Sequence, residues 1–386
     1  MCNEYIELIN KEFKVSDSAK LLFSKIMGSQ PDQHDEILKD MDMLIKDTGL
    51  GYALIALFRQ QVKCGFVMAD PLLFQDKNQK TFYDQDTNIT FRIQWNPFRE
   101  RRHDHAQLME MGIVAKNIDT DKLINRDKNG KACYLCETNI DVQNPKEILY
   151  SINLAAESFN IGANFAFITN NHFTVINAEH RPQQYRGNII AALNDFVDKS
   201  DGYFRAIYNG LAGASIKEHE HLQIMPYEFP IEKINIGNMD IVYKNDNITV
   251  LRPKYYLPVL IVNGTCKDNI NIAVDRIIDG WLTLDSQFHS INIIATKSAD
   301  KNTFRTFVIL RDKRRLKGKL KRGAMAAFET GGNIVLSCRS RVDGEDKVDE
   351  KHTYDNANLE IIKQMLKDIA PDERNCSRLI DSLTSI

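Results

Sequence analysis

The run His219-Glu220-His221-Leu222-Gln223 constrains this chain more than any other stretch, because strict alternation of polar rings with other side chains is a strand pattern. Successive strand residues point to opposite faces, so His219, His221 and Gln223 are expected on one face and Glu220 and Leu222 on the other. Two imidazoles and an amide then look into one space. The run continues as Ile224-Met225-Pro226, a strand ending at the proline. It follows Asn209-Gly210-Leu211-Ala212-Gly213-Ala214-Ser215, a small-residue loop that lets backbone approach a ligand closely. A polar patch on an edge strand is the plain alternative.

Well upstream lies Cys133-Tyr134-Leu135-Cys136, in a chain with 7 cysteines. Thiolates two residues apart on a tight turn are ready to chelate one zinc, which asks for four tetrahedral Cys or His ligands. His180, just past the apolar stretch Phe173-Thr174-Val175-Ile176, and His219 complete a set of two cysteines and two histidines. A redox dithiol is the competing use, although no thioredoxin-like pattern frames the pair; two buried bystanders are the bland one.

At this point the ordered motifs carry a resemblance that spans most of the chain. Cys-x-x-Cys, an isolated His after a strand, then Asn-Gly, small residues, Ser and His-x-His-x-Gln is similar to the galactose-1-phosphate uridylyltransferase branch of the histidine-triad (HIT-like) superfamily. That branch also holds diadenosine tetraphosphate phosphorylases and GDP-hexose phosphorylases. Closer still is an uncharacterised, mainly bacterial group, which this chain resembles at Arg92-Ile93-Gln94-Trp95-Asn96-Pro97-Phe98-Arg99, at Cys133 to Cys136, at His172 and at His180-Arg181-Pro182-Gln183. The likeness returns at Gly323-Ala324 and Glu329-Thr330-Gly331-Gly332.

The resemblance implies that His219 ligates metal with Cys133, Cys136 and His180, while His221 is a covalent nucleophile that attacks the α-phosphorus of a nucleotide. A neutral imidazole is competent for that role near pH 7, and Gln223 and Ser215 can donate hydrogen bonds to phosphoryl oxygens. Asn209 and Gly213 are expected beside the substrate. Arg99, Arg101 and Arg102 are expected on phosphates, as guanidinium forks beside a Pro turn, and the likeness of this run to GDP-hexose phosphorylases implies a substrate contact for Asn96; a solvated charged loop is the alternative. The basic run from Arg311 through Lys313 to Arg322 reads either as a solvated loop or as a phosphate-gripping loop over the site. The chain departs from the closer group at Arg99-Glu100-Arg101-Arg102-His103-Asp104-His105, where a small-residue stretch is usual, and at Lys313-Arg314, where a histidine follows the lysine. The second His-x-His, His103 and His105, has no cysteine close in sequence and is not read as a metal site.

The expected fold class is α+β, with HIT-like antiparallel sheets and packed helices. A mainly helical extension covers 1–85, a catalytic HIT-like half with the zinc site covers 86–238, and a degenerate half covers 239–386. Helices are expected from Ser18 and from Ile37, with Ser16 or Asp17 capping the first. Strands are expected at 81–83, 89–93, 164–169, 173–176, 203–209 and 219–225, with a helix over 187–199. The second half is expected to hold strands at 241–243, 248–251, 291–295 and 306–310 and a helix over 270–286.

A formal charge of −2 over 386 residues gives no global field for nucleic acid or an anionic membrane, so phosphate attraction must be local. Without a leader-like N-terminus or a span of about 18 apolar residues, and with an odd, thinly spread cysteine count, a cytoplasmic setting is expected. The chain is therefore expected to be a nucleotidyltransferase or phosphorylase. Its substrate would be a nucleoside diphosphate sugar or a dinucleoside polyphosphate, and its acceptor phosphate or a sugar phosphate. A hydrolase using the same intermediate and a non-catalytic nucleotide-binding protein are the alternatives, and a homodimer is left open.

Overall fold

The computed structural model describes all residues except 1, 69–76, 102–103, 236, 238, 299, 339–340, 344–345 and 385–386. The chain opens with four helices, α1 (Cys2–Phe13), α2 (Asp17–Gly28), α3 (His34–Thr48) and α4 (Leu50–Lys63). Of the two expected caps, Ser16 starts α2, its hydroxyl accepting the Ala19 N–H at 3.1 Å. Leu50 through Gln61 of α4 are all buried, because α2 and α3 pack on one side of it and the sheet on the other. Phe58 meets Phe173 edge-on at 5.5 Å, and Arg59 reaches Asn170 at 2.8 Å, docking the helical extension onto the sheet.

A hairpin follows, β1 (Gln79–Asp84) and β2 (Ile89–Trp95). The main sheet then takes β3 (Leu149–Leu154), β4 (Glu157–Ala163), β5 (Phe173–Asn177), β6 (Arg205–Asn209) and β7 (His221–Met225), with α5 (Gly187–Lys199) between β5 and β6. A second set repeats the plan with β8 (Asp240–Lys244), β9 (Ile248–Arg252), β10 (Val259–Gly264), α6 (Lys267–Leu284), β11 (His289–Lys297) and β12 (Phe304–Asp312). These ten strands form one sheet in the order β3-β4-β5-β7-β6-β11-β12-β10-β9-β8, antiparallel throughout. The first five strands and the last five, read from each outer edge, have the same order, with the helix in the same connection. They meet where Asn209 of β6 lies opposite Asn292 of β11. The α+β class, the antiparallel sheet and the helical extension agree with expectation.

Both faces of the central strands are buried, by period-two alternation. On β7, Leu222 and Ile224 join the core under α5 and α6, whereas Met225 joins a second core on the opposite face. That opposite face is covered by β1, β2 and β13 (Asn333–Leu336), the last parallel to β2, and by the C-terminal helices α7 (Glu350–Asp355) and α8 (Leu359–Asp368). A last helix, α9 (Glu373–Thr384), packs against α6. Among the described residues no helix is long and apolar enough to cross a membrane.

Two expectations are corrected. Residues 164–169 form a loop, because three of their carbonyls are taken by side chains: Ala166 O by Arg99, Phe167 O by Asn96 and Ile168 O by Gln94. The strand expected from residue 219 starts at His221, since the Glu220 N–H bonds to Arg181 O in a loop. Residue 85, where the extension is expected to end, lies in the turn between β1 and β2. Strands β3, β4, β10 and β13 and the helices α7 to α9 were not anticipated.

Candidate active site and metal cluster

Two polar sites flank the start of β7. The first gathers Cys133, Cys136, His180 and His219, whose ligand atoms all lie within 4.8 Å of one another. Cys133 Sγ is 3.3 Å from His219 Nδ1, Cys136 Sγ is 3.4 Å from His180 Nδ1 and 3.7 Å from His219 Nδ1. A tetrahedral zinc with ordinary Zn–S and Zn–N bonds sets sulfur and nitrogen about 3.6 Å apart, so the cluster already has that spacing. His219 Nε2–H donates to Asn177 O at 2.8 Å, which leaves Nδ1 bare toward the sulfurs, the tautomer a metal ligand requires. The Leu135 N–H and the Asn125 amide point at the two sulfurs. Burial pushes the Cys133 thiol up to about 12, a cost that a bound cation offsets.

The cysteines sit on the turn leading into the helix Glu137–Gln143, tied by Asn139 to Ile124 and Cys133. His180 follows β5 and His219 precedes β7. The apolar cluster beneath is small, built on Leu135, Ile140, Leu149 and Ile176. These donors fit zinc, which here would fasten the 116–147 segment to the sheet.

The second site is a cavity of about 310 Å³ on the sheet face opposite α5 and α6. His221 and Gln223 look into it, while Glu220 points the other way and is gripped by Arg186 at 2.8 Å and Asn177 at 2.9 Å. His221 is 5% exposed, and burial lowers its pKa, so the ring is neutral. Its Nδ1–H donates to His219 O at 2.9 Å, which leaves Nε2 as the basic nitrogen. Gln183 fixes the backbone beneath it: the His221 N–H donates to its Oε1 at 2.7 Å, and its Nε2 donates to Asn209 O at 2.9 Å and His221 O at 3.0 Å. That role was not anticipated, although Gln183 stood in a recognised motif.

His172 lies on the same face as Gln223, one residue before β5. Burial, with Arg99 adding to it, holds its pKa down at about 3, so the ring is neutral. Its Nδ1 accepts the Ile168 N–H at 3.2 Å, which puts the ring proton on Nε2.

Of the other expected site residues, Asn209, Gly213, Ser215 and Arg99 line the cavity. A Cβ on Gly213 would sit 2.8 Å from Asn292 Nδ2, so only glycine lets the loop lie there. Asn96 is buried outside the cavity as the clamp on Phe167. Arg101 is exposed over the Phe98 ring and does not line the cavity; Arg102 lies outside the described residues. Arg311 is fully buried, bonded to Asn292 Oδ1 at 2.5 Å and Met325 O at 2.6 Å, because it lies within β12 with its side chain inward. Lys313 is placed away from the cavity. From the basic run only Lys321 and Arg322 reach the wall, beside Gly323, Phe328, Cys338 and Glu350, none of them assigned a role from sequence.

Residues 73–226 match a family model described as a domain of unknown function, DUF4922. Galactose-1-phosphate uridylyltransferase of Fusobacterium nucleatum is 23% identical over 286 residues, which are 70% of this chain and 54% of that protein. The enzyme of the same name from Clostridium acetobutylicum is 26% identical over 136 residues, 35% of this chain and 27% of that protein. The chain thus spans about half or less of the length of these curated relatives. The solved structure of yeast Ap4A phosphorylase Apa2 in complex with Ap4A aligns over 76% of this chain and 88% of that one, at 15% identity and a TM-score of 0.44. By sequence, then, this chain carries a DUF4922 segment and is similar to galactose-1-phosphate uridylyltransferases.

Proposed function

We propose that the chain is a nucleotidyltransferase or phosphorylase of the HIT-like type that works through a nucleotidyl-His221 intermediate. The observation that carries this reading is the state of His221: neutral, its Nδ1–H held by His219 O, and its ring lining a polar cavity. In the first step Nε2 attacks the α-phosphorus. The Nε2–P bond forms as the P–O bond to the distal half breaks, and that half leaves with the electron pair. An oxygen of the acceptor then attacks phosphorus, the Nε2–P bond breaks and the ring returns neutral, with Nδ1–H undisturbed. Gln223 and Ser215 are positioned to donate to the phosphoryl oxygens as charge develops. Asn209, Gly213 and Arg99 hold the substrate.

The similarity to uridylyltransferases favours a nucleoside diphosphate sugar as donor, with a dinucleoside polyphosphate as the second donor class to be tried. We assign 86–238 as the catalytic half, 239–386 as the degenerate half and 1–85 as the extension; the repeated strand order supports it. Zinc at Cys133, Cys136, His180 and His219 is read as structural, and its thiolates suit a reducing cytoplasm. The test is to incubate the protein with UDP-glucose or Ap4A without an acceptor and map any adduct. An acid-labile nucleoside monophosphate on the peptide holding His221 is expected. An adduct elsewhere overturns the assignment, and none with any donor favours a binding protein without turnover. Release by water at the rate seen with phosphate makes the protein a hydrolase.

A further inference from the structure

The cavity wall contributed by the C-terminal segment holds a guanidinium two of whose nitrogens are unpaired among the described residues. Arg322 Nε and Nη1 are buried, and neither has a hydrogen-bond partner. Leaving charged guanidinium donors unpaired in a buried place is costly, and such groups are ordinarily paired. The neighbouring carboxylates are already engaged. Glu350 accepts the N–H groups of Arg322 at 2.9 Å, Ser337 at 2.7 Å and Cys338 at 2.8 Å. Glu329 caps the Ala326 N–H at 2.8 Å and lies 3.4 Å from Lys321 Nζ. Lys321 itself is spent on Val335 O and Glu329. Glu350 therefore fixes the backbone of Arg322, while Arg322 Nε and Nη1 keep no hydrogen-bond partner among the described residues.

We infer that Arg322 is the anion-binding residue for the acceptor, which bears a phosphoryl dianion. This rests on the reading of His221 as nucleophile, because the two residues line the same cavity from opposite chain segments. An arginine fork there recognises two phosphoryl oxygens at once. Water as acceptor gives such a group nothing to bind, so the residue biases the site toward transfer over hydrolysis. Inorganic phosphate and a sugar 1-phosphate share this chemistry.

The experiment titrates inorganic phosphate and, separately, glucose 1-phosphate into the full chain by calorimetry. Wild type is compared with Arg322→Gln, Arg322→Lys and Lys319→Gln, the last an exposed lysine of the same basic run. Thermal unfolding confirms that each variant is folded. Arg322→Gln is expected to weaken binding about tenfold or more, Arg322→Lys to restore part of it, and Lys319→Gln to stay within about twofold. Much tighter binding of glucose 1-phosphate than of phosphate, lost in Arg322→Gln, identifies a sugar phosphate acceptor; equal binding identifies phosphate. Wild-type affinity in Arg322→Gln, or no binding of either probe to wild type, overturns the inference. If Arg322→Gln itself is unfolded, Arg322→Lys decides the matter by the same reading. Discharge of the isolated adduct by phosphate is measured in parallel. Absence of any adduct refutes the nucleophile, while the titration still decides Arg322.

Discussion

The two halves of the ten-stranded sheet share strand order and helix placement but not chemistry. In the first half β7 opens with His221 and carries Gln223, and its loops bring in four metal ligands. At the same topological place in the second half, β12 is apolar through Phe307 to Leu310 and then carries Arg311, whose guanidinium turns inward onto Asn292. Asn292 in turn donates to Asn209 Oδ1 at 3.0 Å, across the seam. On the proposed reading one half keeps a reactive face, while Arg311 and Asn292 of the other hold Asn209 beside it. Duplication of a fold preserves packing first, since period-two burial tolerates many residues, whereas a reactive face needs particular ones.

The largest expected effect separates the halves by chemistry. His221→Ala should lower nucleotidyl transfer by about a thousandfold or more, with unfolding temperature and zinc content unchanged. Full turnover in that variant would move the reactive site elsewhere, the second half included.

Next comes the proposed zinc, whose candidate ligands among the described residues lie in the first half. The protein should purify with about one zinc. Cys133→Ser or His180→Ala should lose it at a stability cost on the order of 2 kcal/mol or more. Hydrogen exchange should quicken in β3 to β5 before β10 to β12; uniform loss of protection would mean the halves do not differ in this way.

A pair of arginines sharpens the contrast. Arg99→Ala should raise the apparent KM for substrate by about 1.5–3 kcal/mol, as expected for a lost charge-assisted hydrogen bond. Arg101→Ala should have little effect, because its side chain lies over Phe98 and not in the cavity. Arg311→Met should lower the denaturant midpoint and leave KM nearly unchanged; a KM rise as large as that of Arg99→Ala would make Arg311 a binding residue after all.

The smallest effect is a pH slope. His172 is held neutral by burial first and Arg99 second, with a folded pKa of about 3 against an unfolded value of about 6.5. Between those values the unfolded chain binds a proton that the folded chain refuses. Its stabilising contribution is thus fully present above pH ~6.5 and is lost as pH falls toward 3, by up to ~1.4 kcal/mol per pH unit. Urea midpoints taken from pH 7.5 down to 4.5 should fall less steeply in His172→Gln than in wild type.

Local signals in the sequence were legible and long-range pairings were not. The Cys133–Cys136 pair, the alternation that sends Glu220 away from His221, and the helix over 187–199 all follow from spacing within a few residues, whereas His180 and His219 join the cysteines only through the resemblance. The 164–169 loop reads as a strand from Phe165 and Phe167, because nothing in those residues says that Gln94, Asn96 and Arg99 will take their carbonyls. By the same token, the Gln-x-Asn-Pro-x-Arg segment reads as a phosphate contact, yet Gln94 and Asn96 clamp a distant loop and of its polar side chains Arg99 is the one that lines the cavity. A run rich in lysine and arginine gives no sign that its first member is buried and its last stands in the cavity. Those fates are set by Asn292 and Glu350, far away in sequence. The helix α8 was legible in principle, from Asn358 as a cap and the spacing of Ile362, Met365 and Leu366.

His219 serves both sites with one peptide unit: its ring faces the sulfurs and its carbonyl accepts the proton of His221 Nδ1. The anchor and the reactive ring are therefore two ends of a short lever. A larger soft ion such as cadmium or mercury, with longer bonds to the thiolates, would tilt that lever and loosen the hydrogen bond that selects the reactive tautomer. Poisoning by such metals should then register first in the nitrogen resonances of the His221 ring, while the sheet around it stays folded.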